Sequence, residues 1–118
     1  MDVKDYIHND SFWEWIKLHS ADDVYRLRYS SHGNEMLTDA CLQIESRKRT
    51  AKKLNRTLAD NRFYFPDSLS AEQCSSDALA EFHSSLVCDG AKILDMTAGL
   101  GIDVMHLSKK ATLVDACE

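Results

Sequence analysis

The segment between Lys92 and Ala116 constrains this chain more than any other. Lys92-Ile93-Leu94-Asp95-Met96 is a short run of strand formers that includes an acid. Gly99 and Gly101 mark a turn, and residues 102–110 read as a helix. Ala111-Thr112-Leu113-Val114-Asp115-Ala116 reads as a second strand. The expected strands are therefore 92–96 and 111–116. Two strands joined through a helix run parallel, with a right-handed crossover. Parallel sheets are buried on both faces, and two strands cannot cover themselves. The sequence thus predicts a truncated chain, the beginning of a larger sheet. It also predicts self-association through open strand edges and an apolar sheet face.

Upstream, residues 1–86 read as a helical region, and 87–118 as the start of an incomplete core. With one Pro and four Gly in 118 residues, long helices and few tight turns are expected. Ser11-x-x-Glu14 is a capping-box pattern ahead of Trp15, Ile16 and Leu18. Ser20-x-x-Asp23 reads as a second cap, opening a helix with Val24 and Leu27. Ser31-His32-Gly33-Asn34 is a break. A helix is expected over 35–59, with Leu37, Cys41, Ile44, Ala51, Leu54 and Leu58 along one stripe. Asn61-Arg62-Phe63-Tyr64-Phe65-Pro66 is an extended aromatic connector, because Pro66 forbids helix there. Ser70-x-x-Gln73 reads as the cap of a helix carrying Leu79, Phe82 and Leu86.

The 14 basic and 19 acidic side chains give a net charge of −5, which excludes a globally basic nucleic-acid coat. At 44% hydrophobic and 28% charged, the chain is not a disordered one. No apolar run approaches the roughly 20 residues that span a bilayer, and the acidic, aromatic N-terminus has no signal-peptide core. The expected compartment is the cytoplasm. Cys41, Cys74, Cys88 and Cys117 form no Cys-x-x-Cys pair, so four free thiols are expected and no metal.

The chemistry lies in Asp95-Met96-Thr97-Ala98-Gly99-Leu100-Gly101-Ile102-Asp103. A strand ending in an acid, running into glycines and opening a helix, forms a pocket of nucleotide type at the carboxyl end of a parallel sheet. Glycines let backbone approach a ligand without a Cβ clash. Glu118 follows Asp95 by 23 residues, a spacing suited to a carboxylate that accepts ribose hydroxyls. A dinucleotide fingerprint needs a third glycine where this chain has Val104. Asp95 would also repel a pyrophosphate. A cationic ligand with an amino-acid head fits better.

At these residues the chain resembles the class I S-adenosylmethionine-dependent methyltransferases. Asp95-x-Thr97-x-Gly99-x-Gly101-x-Asp103 looks like their first motif, and Glu118 like the acid of their second. Gln43-Ile44-Glu45-Ser46-Arg47-Lys48-Arg49, Phe65-Pro66 and Glu72-Gln73-Cys74-Ser75-Ser76 narrow the match. Together they are similar to a bacterial family of RNA methyltransferases with a helical N-terminal region and a THUMP-like C-terminal domain. The resemblance implies a mostly α N-terminal region followed by the first β-α-β unit of a Rossmann-like class I methyltransferase fold. It implies that Asp95, Gly99 and Gly101 line the S-adenosylmethionine pocket, that Glu118 binds the ribose, and that Thr97 and Asp103 border it. Gln73, Ser75 and Ser76 are expected at the pocket edge, although serines there also suit a helix cap. The family's catalytic loop falls after Glu118, so no catalytic residue is named and this chain alone is expected to be inactive.

Arg47, Lys48, Arg49, Lys52, Lys53 and Arg56 are candidate RNA-phosphate contacts. The simpler reading is a solvated helix face with Glu45 paired to Arg49. No aromatic residue interleaves this run. Phe12, Trp13 and Trp15 read as core anchors. His106 reads as packed or solvated, and Cys74 as no nucleophile. Two other functions remain open at this point: a nicotinamide- or nucleotide-binding enzyme with a degenerate glycine motif, and a non-catalytic helical RNA- or partner-binding module.

Overall fold

The computed structural model describes residues 2–117. Helices α1 (Asp10–Leu18), α2 (Val24–Ser30) and α3 (Glu35–Thr50) come first, after a short 3-10 turn at Val3–Asp5. Helices α4 (Ser68–Gln73) and α5 (Asp77–Ser85) follow, then β1 (Lys92–Asp95), α6 (Ile102–Leu107) and β2 (Leu113–Ala116). The two strands pair in parallel, Lys92 opposite Leu113 and Asp95 opposite Ala116. Both are shorter than the expected 92–96 and 111–116. No helix among the described residues is long and apolar enough to cross a membrane.

The helix boundaries correct several expectations. The α1 cap is Asn9, whose side chain accepts from the Ser11 N–H at 3.0 Å, and not Ser11. Asn and Ser are equally good caps, so the pattern at Ser11 did not decide between them. The α2 cap is Asp23, accepting from the Tyr25 N–H at 2.9 Å, and not Ser20.

Helix α3 ends at Thr50, well short of residue 59. Beyond it the chain is shaped by Asp77, which is 1% exposed. In a continuing helix the Thr57 N–H would donate to the Lys53 carbonyl. Here the Lys53 carbonyl accepts from the Asp77 N–H at 2.7 Å. The Arg56 and Thr57 N–H groups turn to Asp77 Oδ2 at 3.0 and 2.8 Å. A group from 20 residues away thus inserts into the turns beyond Thr50, where the Leu54 N–H still donates to the Thr50 carbonyl and the Leu58 N–H to the Leu54 carbonyl, both at 2.8 Å. The expected stripe also shifts. Ala51 is exposed, whereas Ala40, Gln43, Ser46 and Thr50 are buried.

The helix expected from Ser70 is two helices. Asp67 caps α4 through the Ser70 N–H at 2.6 Å, and Ser76 caps α5 through the Leu79 N–H at 3.0 Å. Leu79, Phe82 and Leu86 face outward, and the buried face of α5 is Asp77, Ala80 and Ser84. Small and polar side chains let α5 lie close against α6, where Ser84 Oγ donates to the His106 carbonyl at 3.4 Å.

Two apolar clusters form. The first joins Tyr6, Phe12, Trp13, Ile16, Leu27, Ala40, Cys41 and Ile44. Asp39 ties its rim, accepting from the Tyr6 and Tyr64 hydroxyls at 2.7 and 2.9 Å. Burial, and then the Asp39 charge, push both phenols above their ordinary pKa. The second cluster joins Leu54, Phe65, Ala71, Ala80 and Ile102. It crosses residue 86, so packing is continuous from the helical region into the β-α-β unit.

Candidate functional site

The turn after β1 is built by backbone bonds from both strands. The Cys117 N–H donates to the Asp95 carbonyl at 2.7 Å, and the Ala98 N–H donates to the Cys117 carbonyl at 2.9 Å. Asp95 Oδ1 accepts from the Thr97 N–H at 3.1 Å, so this carboxylate shapes the turn. Gly99 and Gly101 have φ of 54° and 78°, a left-handed backbone that side chains rarely adopt. A Cβ at either would meet nothing within 4 Å. The space over these glycines is open.

Opposite the turn lies the loop between α4 and α5. Together they enclose a cavity of about 340 Å³ lined by Ser70, Gln73, Cys74, Ser75, residues 96–100, Ile102 and Asp103. That is within the range of small-molecule pockets, roughly 300–1,000 Å³. The expected residues Gln73, Ser75, Thr97, Gly99 and Asp103 converge on it. Asp95, Gly101 and Ser76 stand beside it as the strand end, the helix start and the α5 cap, outside the lining. Glu118 lies outside the described residues.

Among the described lining residues Asp103 is the one carboxylate, and none is Lys or Arg. Both its oxygens are held. Ser75 Oγ donates to Oδ2 at 3.0 Å, and His83 Nδ1 lies 2.8 Å from Oδ1. His83 is a supporting residue that sequence reading missed. It stands 20 positions from Asp103 on a different helix, and no local pattern joins the two.

Behind the site, His106 Nε2 lies 3.0 Å from Asp77 Oδ1, with both residues buried. Thr57 Oγ1 donates to the same oxygen at 2.6 Å. Burial pushes the Asp77 carboxyl upward, but bonds from His106, Thr57 and Arg56 outweigh it and hold the pKa at about 2. This bond fixes α6, whose first turn carries Ile102 and Asp103 into the cavity wall.

Most of the basic run is engaged within the chain. Arg47 Nη2 donates to the Asn61 and Phe63 carbonyls at 3.0 and 2.7 Å, and the guanidinium lies 5.7 Å over the Trp13 ring. Burial lowers its pKa. Lys53 Nζ donates to the Glu72 and Cys74 carbonyls, both at 3.0 Å. Arg56 pairs with Glu81 at 2.5 Å, and Arg49 with Glu45 at 3.2 Å. Lys48 Nζ donates to the Asp22 carbonyl at 2.6 Å. Among the described residues no group of His, Cys, Asp and Glu side chains is placed to hold a metal ion.

No protein-family model matches the chain, and no curated protein matches it either. Among solved structures, the crystal structure of a "putative methyltransferase from Porphyromonas gingivalis W83" is 29% identical, with a TM-score of 0.78 over 98% of this chain. The chain covers 29% of that protein, under a third of its length. By this likeness the chain has part of a methyltransferase-like fold, and the cavity sits at the carboxyl end of its β1 strand.

Proposed function

We propose that the cavity holds S-adenosylmethionine, and that the chain serves a cytoplasmic methyltransferase whose acceptor is RNA. The observation that carries the cofactor reading is the charge of the described lining residues: one fixed carboxylate, Asp103, and no cation. An anionic pyrophosphate would meet repulsion there, whereas an ammonium or sulfonium meets attraction. The open space over Gly99 and Gly101 admits a ligand against backbone. The methyltransferase neighbour supports the same reading.

Bound in the cavity, S-adenosylmethionine would supply a methyl group on a positively charged sulfur. The residues of this chain bind and orient. Asp103 presents a carboxylate already positioned by Ser75 and His83, so little ordering is left to do on binding. Asp95 keeps the turn in shape through the Thr97 N–H. Gln73 and Ser75 offer polar edges, and Leu100 and Ile102 an apolar wall that excludes water. Glu118 is proposed for the ribose, as in the methyltransferases the sequence resembles. RNA as acceptor rests on that resemblance.

Titration calorimetry of S-adenosylhomocysteine into the chain tests the cofactor. The expected result is binding that weakens about tenfold or more in Asp103→Ala, the weight of one charged hydrogen bond at ~1.5–3 kcal/mol. NADH is expected to bind negligibly. A folded chain that takes NADH and ignores S-adenosylhomocysteine would overturn the reading in favour of a nucleotide enzyme.

A further inference from the structure

The one carboxylate of the cavity lining is bonded to a titratable group just outside it. His83 Nδ1, on α5, lies 2.8 Å from Asp103 Oδ1, on α6. The Asp103 side chain is 25% exposed and that of His83 43%, so solvent reaches the imidazole while the carboxylate faces the cavity. An ionised carboxylate can only accept, and Ser75 Oγ donates to its other oxygen at 3.0 Å. The ring nitrogen facing Asp103 therefore carries a proton in the neutral and the charged imidazole alike. The bond survives a change of protonation. What changes is the charge: the pair is neutral when the imidazole is charged and negative when it is not.

The other charged groups packed about α5 are engaged elsewhere. On α5 itself Asp77 meets His106 of α6 at 3.0 Å, and Glu81 meets Arg56 at 2.5 Å, with Lys109 acting on the same Glu81. Lys53 Nζ donates to the Glu72 and Cys74 carbonyls, both at 3.0 Å, and Lys110 Nζ to the Ser84 carbonyl at 3.2 Å. Asp95 accepts from the Thr97 N–H. Among the described residues Asp103 is the carboxylate within hydrogen-bond reach of His83. Carboxylates ordinarily titrate near pH 4, thiols near 8.5 and imidazoles near 6.5. His106 is the other imidazole near the site, and it turns to Asp77 and stands outside the lining.

We infer that cofactor binding is coupled to release of a proton from His83, so that the affinity of the site rises with pH through the histidine range. This rests on the cofactor reading above and adds its regulation. With His83 charged, Asp103 already has a counter-ion, and the ammonium or sulfonium of the ligand meets a neutral pair. With His83 neutral, the same carboxylate is left to balance the ligand. The ligand's charge in turn repels the second proton of the imidazole, as like charges within ~4–6 Å shift each other's titration by about one unit or more. One unit is a tenfold change in affinity. The proton is thus held less tightly in the complex than in the free chain. Binding is strongest above the histidine range and weakens as pH falls through it.

The test is titration calorimetry of S-adenosylhomocysteine, whose amino-acid head carries an ammonium, between about pH 5.5 and 7.5. The parent chain is expected to bind about tenfold more tightly at the upper end. Repeating the titration in buffers of different ionisation enthalpy is expected to show about half a proton released at the midpoint of the profile. His83→Gln keeps an N–H for Asp103 and takes no charge. It is expected to show a flat profile, to release no proton, and to match the parent's upper-end affinity within about twofold. Ser75→Ala removes the other bond to Asp103 without touching a charge, and is expected to weaken binding at every pH while the slope stays. A parent profile that is flat, or that falls as pH rises, overturns the inference and leaves the cofactor reading standing. A slope or a proton release that persists in His83→Gln overturns it also, and moves the titration to another group, His106 first. If S-adenosylhomocysteine does not bind the folded chain at any pH, the cofactor reading falls and this inference with it.

Discussion

The two apolar clusters of this chain are built on different principles. The first is packed from large rings and aliphatics, with Tyr6 and Phe12 centred 4.9 Å apart and Phe12 and Trp13 5.1 Å apart. Its polar partners sit at the rim. The second has two alanines among its five buried residues, and its neighbours in the interior are Asp77 and His106. A thin apolar core supplies little net burial energy. Directional bonds do what it cannot: they add modestly to net stability but cost heavily when half broken. The first cluster therefore holds its helices together, and the second holds them in register. The second is also the one beside the cavity, through α6 and the Gly99–Gly101 turn.

The largest expected effect tests that contrast directly. Asp77→Ala removes the acceptor for the Arg56 and Thr57 N–H groups, the Thr57 hydroxyl and His106 at once. Breaking a buried charged network of this kind costs ~3–5 kcal/mol, which urea unfolding would read as a lowered midpoint. A loss under about 1 kcal/mol would mean that the second cluster is held like the first, by apolar contact alone. Acid sharpens the point. The folded carboxyl titrates at about 2, below its ordinary 3.8. Its stabilisation is complete above pH ~4 and is lost as pH falls toward 2, a span worth about 2 kcal/mol. The alanine variant is expected to lack that part of the acid sensitivity.

Gln43 spans the two clusters. Its Oε1 accepts from the Phe65 N–H at 2.8 Å, and its Nε2 donates to the Phe65 carbonyl at 2.7 Å and to Asp39 at 3.0 Å. Phe65 is fully buried, so its backbone has no water to fall back on. Gln43→Leu keeps the bulk and abandons both backbone groups, at about 2–3 kcal/mol. Combined with Asp77→Ala, the losses add if the clusters are independent. They fall short of the sum if one polar frame serves both. Urea unfolding of the two single variants and the double variant decides it.

The legible parts of this fold were those whose signals are local. The β-α-β unit showed in the short runs of strand formers around Ile93 and Val114 and in the glycines between them. Thr97, Gly99 and Asp103 line the cavity where strand, turn and helix follow one another, a local pattern, whereas Gln73 and Ser75, expected from the resemblance alone, reach it from the loop between α4 and α5. The end of α3 was not legible, since no Gly or Pro stands near Thr50 and the turns that follow are bonded to Asp77, a residue distant in sequence. The face of α5 was misread for a related reason. Leu79, Phe82 and Leu86 are a good apolar stripe, but Ala80 and Ser84 allow a closer approach to α6, and Asp77 needs the interior. His83 was unreadable because it acts through Asp103, on another helix.

The smallest expected effect concerns a place where two local signals competed. Asn9 and Ser11 both fit the cap of α1, and the structure uses Asn9. Its Oδ1 accepts from the Ser11 N–H at 3.0 Å and from the Ser11 hydroxyl at 2.8 Å. Asn9→Ala is expected to cost about 1 kcal/mol, the usual loss of a side-chain cap. Ser11→Ala removes only an exposed hydroxyl contact to the cap, and is expected to cost a few tenths of a kcal/mol. Thermal unfolding of the pair separates them. Equal losses would mean that the two residues cap as a unit. A larger loss at Ser11 would move the helix start by two residues, and with it the side from which Phe12 and Trp13 enter the first cluster.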